Sequence, residues 1–206
     1  MILHFPLDPR VDLNQHAVLE KIESTTKKIA RQMSANSKDR QPNLVYGTVH
    51  SALGTIMLAG TQNHLLYLDF PLNGETVSPH PSWQLDQSRF EREIAQLEAY
   101  FAGKRKEFDI PLKLNGTDFN QRVWTALTQI PFGDVITYGE LARRIGQPEG
   151  AQAVGNANGR NPIPIIVPCH RVIAAKNNIG GFTGGVEKKQ FLLQLENAKN
   201  VQFNLF

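Results

Sequence analysis

The sequence predicts a mixed α/β (α+β) protein: a small N-terminal domain with a short β-sheet and helices, then a mostly helical C-terminal domain with a helix-turn-helix. Two observations predict it. Runs of β-branched and apolar residues crowd into residues 44–70, whereas apolar residues near a 3.6-residue period mark residues 87–101 and recur after 118. Two short helical segments around a turn built from Gly and Pro then fall in the more basic half of the chain. The boundaries read from this pattern are 1–102, 103–198 and a tail, 199–206.

In order along the chain, residues 15–34 read as a helix, with Val18, Leu19, Ile22, Ile29, Ala30 and Met33 near helical spacing. Polar residues 34–42 end in Pro42 and read as a loop. Residues 44–50, 54–60 and 64–70 read as a meander of strands, and the Pro-, Gly- and Asn-rich stretch 71–82 as a surface connection. Phe90, Ile94, Leu97 and Phe101 form one stripe of a helix over 87–101, with Gly103 as its stop. Further helices are predicted over 118–129, 138–145 and 151–158, with Gly146–Gly150 as the turn between the last two. An apolar, Pro-punctuated run follows (NPIPIIVPCHRVI, 161–173), then a Gly-rich loop (GGFTGG, 180–185) and a last helix, 186–196.

Composition is that of an ordinary globular chain, 41% hydrophobic and 20% charged. No run approaches the roughly 20 apolar residues that span a bilayer, and the first residues lack the layout of a secretion signal. A cytoplasmic monomer is expected. Residues 1–103 carry 9 Lys and Arg against 11 Asp and Glu, and residues 104–206 carry 13 against 8, so the C-terminal half holds the positive charge. That half is the one to suspect of touching nucleic acid, although charge of this size does not by itself establish a polyanion partner.

Cys169 is the only cysteine, which excludes an intramolecular disulfide and multi-cysteine zinc sites. The six histidines are scattered without close metal-ligand spacing. Neither a metal nor a cofactor is expected. A lone cysteine is most often an inert buried residue, but the neighbours of this one argue for a nucleophile. Pro168 fixes the chain before the thiol. His170 and Arg171 put a titratable base and a permanent cation beside it, the settings that favour a thiolate. The Gly-rich loop offers backbone N–H groups and close approach.

The run IPIIVPCHRVI (163–173) resembles the active-site signature of the O6-alkylguanine-DNA alkyltransferases. The resemblance runs from Phe90 to Glu196 through YFAGKRKEFDIPL, GTDFNQRVW, IPFGDVITYGELARRIG, AVGNANGRNP, PCHRVI and GGFTGG to KKQFLLQLE, in matching order and spacing. The first ~85 residues resemble the family's variable N-terminal domain only in outline. The resemblance implies irreversible, single-turnover transfer of an alkyl group from O6-alkylguanine in DNA to Cys169, after the nucleotide is flipped out of the stack and without a cofactor. O4-alkylthymine is a second substrate to consider.

On this resemblance Cys169 would be the alkyl acceptor, and His170 the base that draws off its proton through a water. Glu196 would orient His170, and Asn161 would brace the turn leading to the active-site loop. Tyr138 would donate its hydroxyl to the guanine ring, and the Thr183 backbone N–H would point to O6. The carbonyls of Cys169 and Val172 would accept from the exocyclic amine. Pro164 and Phe182 would shape the alkyl pocket, while Arg171 would hold the loop in place. The helix 151–158 would enter the minor groove, with Ala151, Ala153, Gly155 and Ala157 permitting close approach and Asn158 and Arg160 at its end. The family's usual intercalating arginine on this helix corresponds to Gln152, which has no fixed charge and a smaller planar face.

The last five residues, Gln202-Phe203-Asn204-Leu205-Phe206, are similar to the short peptide with which many bacterial DNA-processing proteins dock on the replicative sliding clamp, with Gln202, Phe203, Leu205 and Phe206 as anchors. Other readings stay open here: a non-catalytic lesion-binding relative that recruits other repair, a regulator using the helix-turn-helix, and a thiol hydrolase.

Overall fold

A computed structural model describes residues 43–71 and 76–202. The predicted helix 15–34 and loop 34–42 lie outside the described residues, as do residues 72–75 of the predicted connection and the tail residues 203–206.

Strands β1 (Val45–Ser51), β2 (Gly54–Gly60) and β3 (Leu65–Asp69) form the predicted antiparallel meander. The period-2 alternation of β2 divides its side chains between two cores. Ile56 and Leu58 join the main core, while Met57 and Ala59 face a smaller cluster with Leu44, Leu66 and Trp83. Trp83 stacks on Tyr67 with ring centroids 5.7 Å apart, so the connection packs over the outer face of the sheet. A two-residue strand, β4 (Gln84–Leu85), pairs parallel to β1 and completes the order β3-β2-β1-β4. It has no sequence signature, because two exposed residues cannot display an alternation.

Helix α1 (Glu91–Phe101) continues from a 3₁₀ turn, Ser88–Phe90, and buries Leu97 and Tyr100 against the sheet. Gly103 stops it as expected, at φ 70°, with its N–H on Tyr100 O at 2.9 Å. The chain then runs beside β3, where Leu65 exchanges backbone hydrogen bonds with Pro111 and Lys113.

Helix α2 (Asp118–Leu127) is capped by Thr117, whose side chain accepts from Asn120 N. It buries Val123, Trp124 and Leu127, and Trp124 Nε1 donates to Ala157 O at 2.9 Å. The helix-turn-helix consists of α3 (Tyr138–Arg144), capped by Thr137, and α4 (Ala151–Gly159). Gly146, at φ 72°, permits the turn between them. The last helix is α5 (Val186–Leu195). A short parallel pair, β5 (Ile136–Thr137) with β6 (Val172–Ile173), ties the start of α3 to the chain leaving Cys169. No described helix is long and apolar enough to cross a membrane.

Candidate active site

The segment leading to Cys169 is held in an unusual path. Asn161 spans it, donating from Nδ2 to Val167 O at 2.7 Å and accepting at Oδ1 from Ile163 N at 3.0 Å. Val167 N donates to Ile163 O at 2.9 Å, and Cys169 N to Val167 O at 2.8 Å. Inside this loop Ile165 sits at φ 74°, a region that a β-branched residue enters only when its surroundings force it. Leu68 N donates to Pro162 O at 2.9 Å, which fastens the loop to β3.

Cys169 opens a 3₁₀ turn, Cys169–Arg171, and the chain continues into β6. Because β6 pairs with β5, and β5 runs directly into α3, Tyr138 comes to the same cavity as Cys169. The cavity measures about 360 Å³ and is lined by Cys169, Tyr138, Asn158, Phe182, Thr183 and glycine backbone from α4 and the Gly-rich loop. Gly155 and Gly180 flank the Tyr138 ring, which a Cβ on either would meet only at ordinary contact distance, 3.7–3.8 Å.

Behind the cavity is a buried ionic cluster. Glu196, at the end of α5, accepts at Oε1 from Tyr100 Oη at 2.7 Å and meets His170 Nε2 at 2.9 Å. Arg171 grips the same carboxylate with Nε and Nη2, both at 2.9 Å, and donates from Nη1 to Ile130 O at 2.6 Å. Gly133 N adds a donor to Oε2 at 3.2 Å. Burial alone would raise the Glu196 pKa, but the hydrogen bonds and charge of its partners hold it well below the usual carboxylate range. Burial lowers the pKa of His170, only partly offset by Glu196. His170 is therefore neutral at neutral pH, and Arg171 is the cation that keeps Glu196 ionised.

An ionised carboxylate only accepts, so the shared bond puts the imidazole proton on Nε2. Nδ1, buried and without a hydrogen-bond partner among the described residues, is then the free basic nitrogen. Burial pushes the Cys169 thiol up to about 11, while the Asn161 amide and the Lys189 ammonium pull it the other way. The resting cysteine is a thiol, and the site supplies a base for it. Tyr138 is also raised, by burial and then by the negative charge of ionised Cys169, so its hydroxyl keeps its proton and remains a donor.

Cys169, Tyr138, Phe182, Thr183, Gly155 and Asn158 thus meet at one cavity; His170 and Glu196 pair with each other outside its lining, and Asn161 holds the loop that leads to Cys169. Asn158, expected at the groove, is 6% exposed and donates from Nδ2 to Cys169 O at 3.3 Å. Gln152 and Ala153 are exposed on α4, Ala151 is half-buried, and Arg160 is exposed at the end of the helix. Val172 and Pro164 are not brought to the cavity wall. Val172 is fully buried with its carbonyl on Lys189 Nζ at 2.7 Å, and Pro164 bridges to Val167 within the loop.

Two residues were not singled out from the sequence. One is Tyr100. The other is Lys189, fully buried, whose pKa burial lowers to about 8 and whose Nζ also reaches Gly181 O at 3.2 Å. Lys189 did carry a signal: it falls on one helical face with Val186, Leu192 and Leu193, where a solvated lysine does not belong. Among the described residues no group of three or more His, Cys, Asp or Glu side chains could hold a metal ion.

Comparison with known proteins places this geometry. Residues 44–114 match the ribonuclease-like domain of 6-O-methylguanine DNA methyltransferase, and residues 118–198 match its DNA-binding domain. The methylated-DNA–protein-cysteine methyltransferase of Methanosarcina acetivorans is 45% identical over 155 residues, covering 75% of this chain and 99% of the relative. The Mycobacterium tuberculosis protein of the same name is 48% identical over 155 residues, covering 75% and 93%. The crystal structure of Mycobacterium tuberculosis OGT in complex with DNA superposes with a TM-score of 0.69 at 46% identity, covering 76% of this chain and 96% of that one. A buried cysteine flanked by a carboxylate-oriented histidine, in two consecutive matched domains and with relatives this similar, makes the chain a member of the 6-O-methylguanine DNA methyltransferase family.

Proposed function

We propose that this protein repairs DNA by taking the alkyl group from O6 of guanine onto Cys169, once per molecule. The observation that carries the reading is the cavity: its volume, about 360 Å³, suits a flipped base, and it sets the acceptor sulfur beside two donor-bearing walls, Tyr138 and Thr183. His170 Nδ1 takes the thiol proton through a water, and the Glu196 carboxylate stabilises the positive charge that results, while Arg171 holds that carboxylate in place. The Cys169 sulfur attacks the alkyl carbon in line, and the bond from that carbon to O6 breaks with its electrons going to the guanine. The Tyr138 hydroxyl and the Thr183 backbone N–H meet that charge. The guanine ring takes the Tyr138 hydroxyl proton, which His170 replaces by way of water, so the proton that left the thiol is balanced by the one on the guanine. The product at Cys169 is a thioether, which nothing at the site can cleave. The test is a short duplex with one O6-methylguanine: one equivalent of guanine should be restored per protein, with no second turnover.

The division of labour follows the two matched segments. We read residues 1–102 as an N-terminal domain and 103–198 as the acceptor and DNA-binding domain; the family matches support two consecutive segments, with the change between 114 and 118 rather than at 102. Duplex DNA is read by the exposed side of α4. Arg143 and Arg144 both pair with Glu140, at 2.8 and 3.3 Å, which leaves less of their charge for phosphates. Gln152 itself brings no fixed charge to this face. Gln152→Arg is expected to tighten binding to the lesion duplex about tenfold and to speed transfer, since one added phosphate or stacking contact is worth roughly 1 kcal/mol or more. Titration at fixed salt with single-turnover kinetics checks it; unchanged affinity and rate would count against this role for position 152.

The tail is read as a peptide for the sliding clamp, through Gln202, Phe203, Leu205 and Phe206. Gln202 is exposed with its N–H on Asn177 O at 2.8 Å, which sets where the peptide would leave the domain. Deleting residues 202–206 is expected to abolish retention on immobilised clamp; equal retention would remove the idea.

A further inference from the structure

We propose that Phe70, at the end of β3, is a positioning residue that sets the size of alkyl group the site accepts. The inference rests on the alkyl-transfer reading above. Phe182 is a wall of the Cys169 cavity, carried by the Gly-rich loop. Hydrogen bonds hold the loop backbone beside it, Lys189 Nζ to Gly181 O at 3.2 Å and Gly185 N to Phe182 O at 3.1 Å, but they leave the ring itself to be placed by packing. Phe70, 9% exposed, stacks on Phe182 with centroids 6.0 Å apart and planes 20° from parallel.

Gly184 is part of the same contact. A Cβ there would overlap the edge of the Phe70 ring and press on Phe182 Cε1, so glycine is what permits Phe70 to come this close to the loop. Phe70 itself does not line the cavity. It stands on the sheet, which the bond from Leu68 N to Pro162 O joins to the acceptor loop. The sheet thus lends its rigidity to a wall that faces the alkyl group. Without the Phe70 ring, Phe182 can retract into the vacated volume and the cavity widens on that side. A bulky group then enters more easily, while a methyl group gains nothing from the extra room and loses a fixed wall.

The test compares single-turnover transfer from O6-methylguanine and O6-benzylguanine in the same duplex. For Phe70→Ala the ratio of benzyl to methyl rate constants is expected to rise at least tenfold over wild type, with Phe70→Leu in between. The ratio within one variant does not depend on how much of it is folded, and Phe70→Leu preserves enough apolar bulk to answer the question if Phe70→Ala does not fold. A ratio unchanged in these variants, with both rates lowered together, would make Phe70 a packing residue only and overturn the inference. Wild-type protein that transfers neither group would instead overturn the alkyl-transfer reading itself.

Discussion

Glu196→Ala is expected to destabilise the protein by about 3–5 kcal/mol, because it removes one partner of a buried ion pair and strands the other. The stranded group is Arg171, 6% exposed, whose remaining bond to Ile130 O cannot neutralise its charge. Tyr100 and His170 lose an acceptor in the same step. Alkyl transfer should fall by roughly 10²-fold or more, the usual worth of a positioned general base. Urea denaturation and single-turnover kinetics at pH 7 measure the two effects. Glu196→Gln separates charge from shape, since its amide can still accept from Tyr100 and His170.

The acid behaviour follows from the same carboxylate. Its pKa in the folded protein lies below the ordinary 4.5, so its contribution is complete above that value and is lost as pH falls from there towards the folded value. Wild type should therefore lose stability on acidification below about pH 4.5, and Glu196→Gln should lose less.

Asn161→Ala is expected to slow transfer by about 10²-fold, the cost of moving a reacting atom by about 1 Å. Asn161 holds both ends of the loop that bends through Ile165, whose left-handed backbone stores on the order of 1–3 kcal/mol. Without the amide, Val167 O and Ile163 N lose their partners and the strain has a way to relax. Stability should drop by about 1–3 kcal/mol. The thiol of Cys169, 4% exposed, loses the amide that draws its pKa down but gains access as the loop relaxes, so its reaction with a small alkylating reagent should change far less than transfer from DNA. A variant that loses transfer while its thiol reacts as fast as in the urea-unfolded protein would point to general unfolding rather than to a displaced loop.

Much of this architecture was legible wherever a segment was long enough to show its period. The meander emerged from runs of β-branched and apolar residues, α1 and α2 from apolar residues near helical spacing with Gly103 closing α1, and α3 and α4 from the Gly- and Pro-built turn between them; the Thr117 and Thr137 caps were seen only in the structure. The two-residue partners β4, β5 and β6 were not legible, because their existence is decided by what lies beside them. The site divides the same way. Cys169, His170 and Glu196 were readable because motif and spacing mark them. Tyr100 and Phe70 were not, since each acts on a residue distant in sequence, Glu196 and Phe182, and neither pairing leaves a local trace. The displacement of Val172 and Pro164 from the cavity wall has a similar cause. Lys189 takes the Val172 carbonyl and the loop path turns Pro164 towards Val167, two tertiary choices that spacing cannot announce.

The central claim is that Cys169 becomes alkylated by DNA. The measurement is the mass of the Cys169 peptide after one exposure of the protein to duplex containing O6-methylguanine. The account predicts that this peptide is one methyl group heavier in stoichiometric yield, and that the corresponding peptide of Cys169→Ser is unchanged. Tight, lesion-specific binding with an unmodified Cys169 peptide would contradict it, and would make the protein a recognition factor rather than an acceptor.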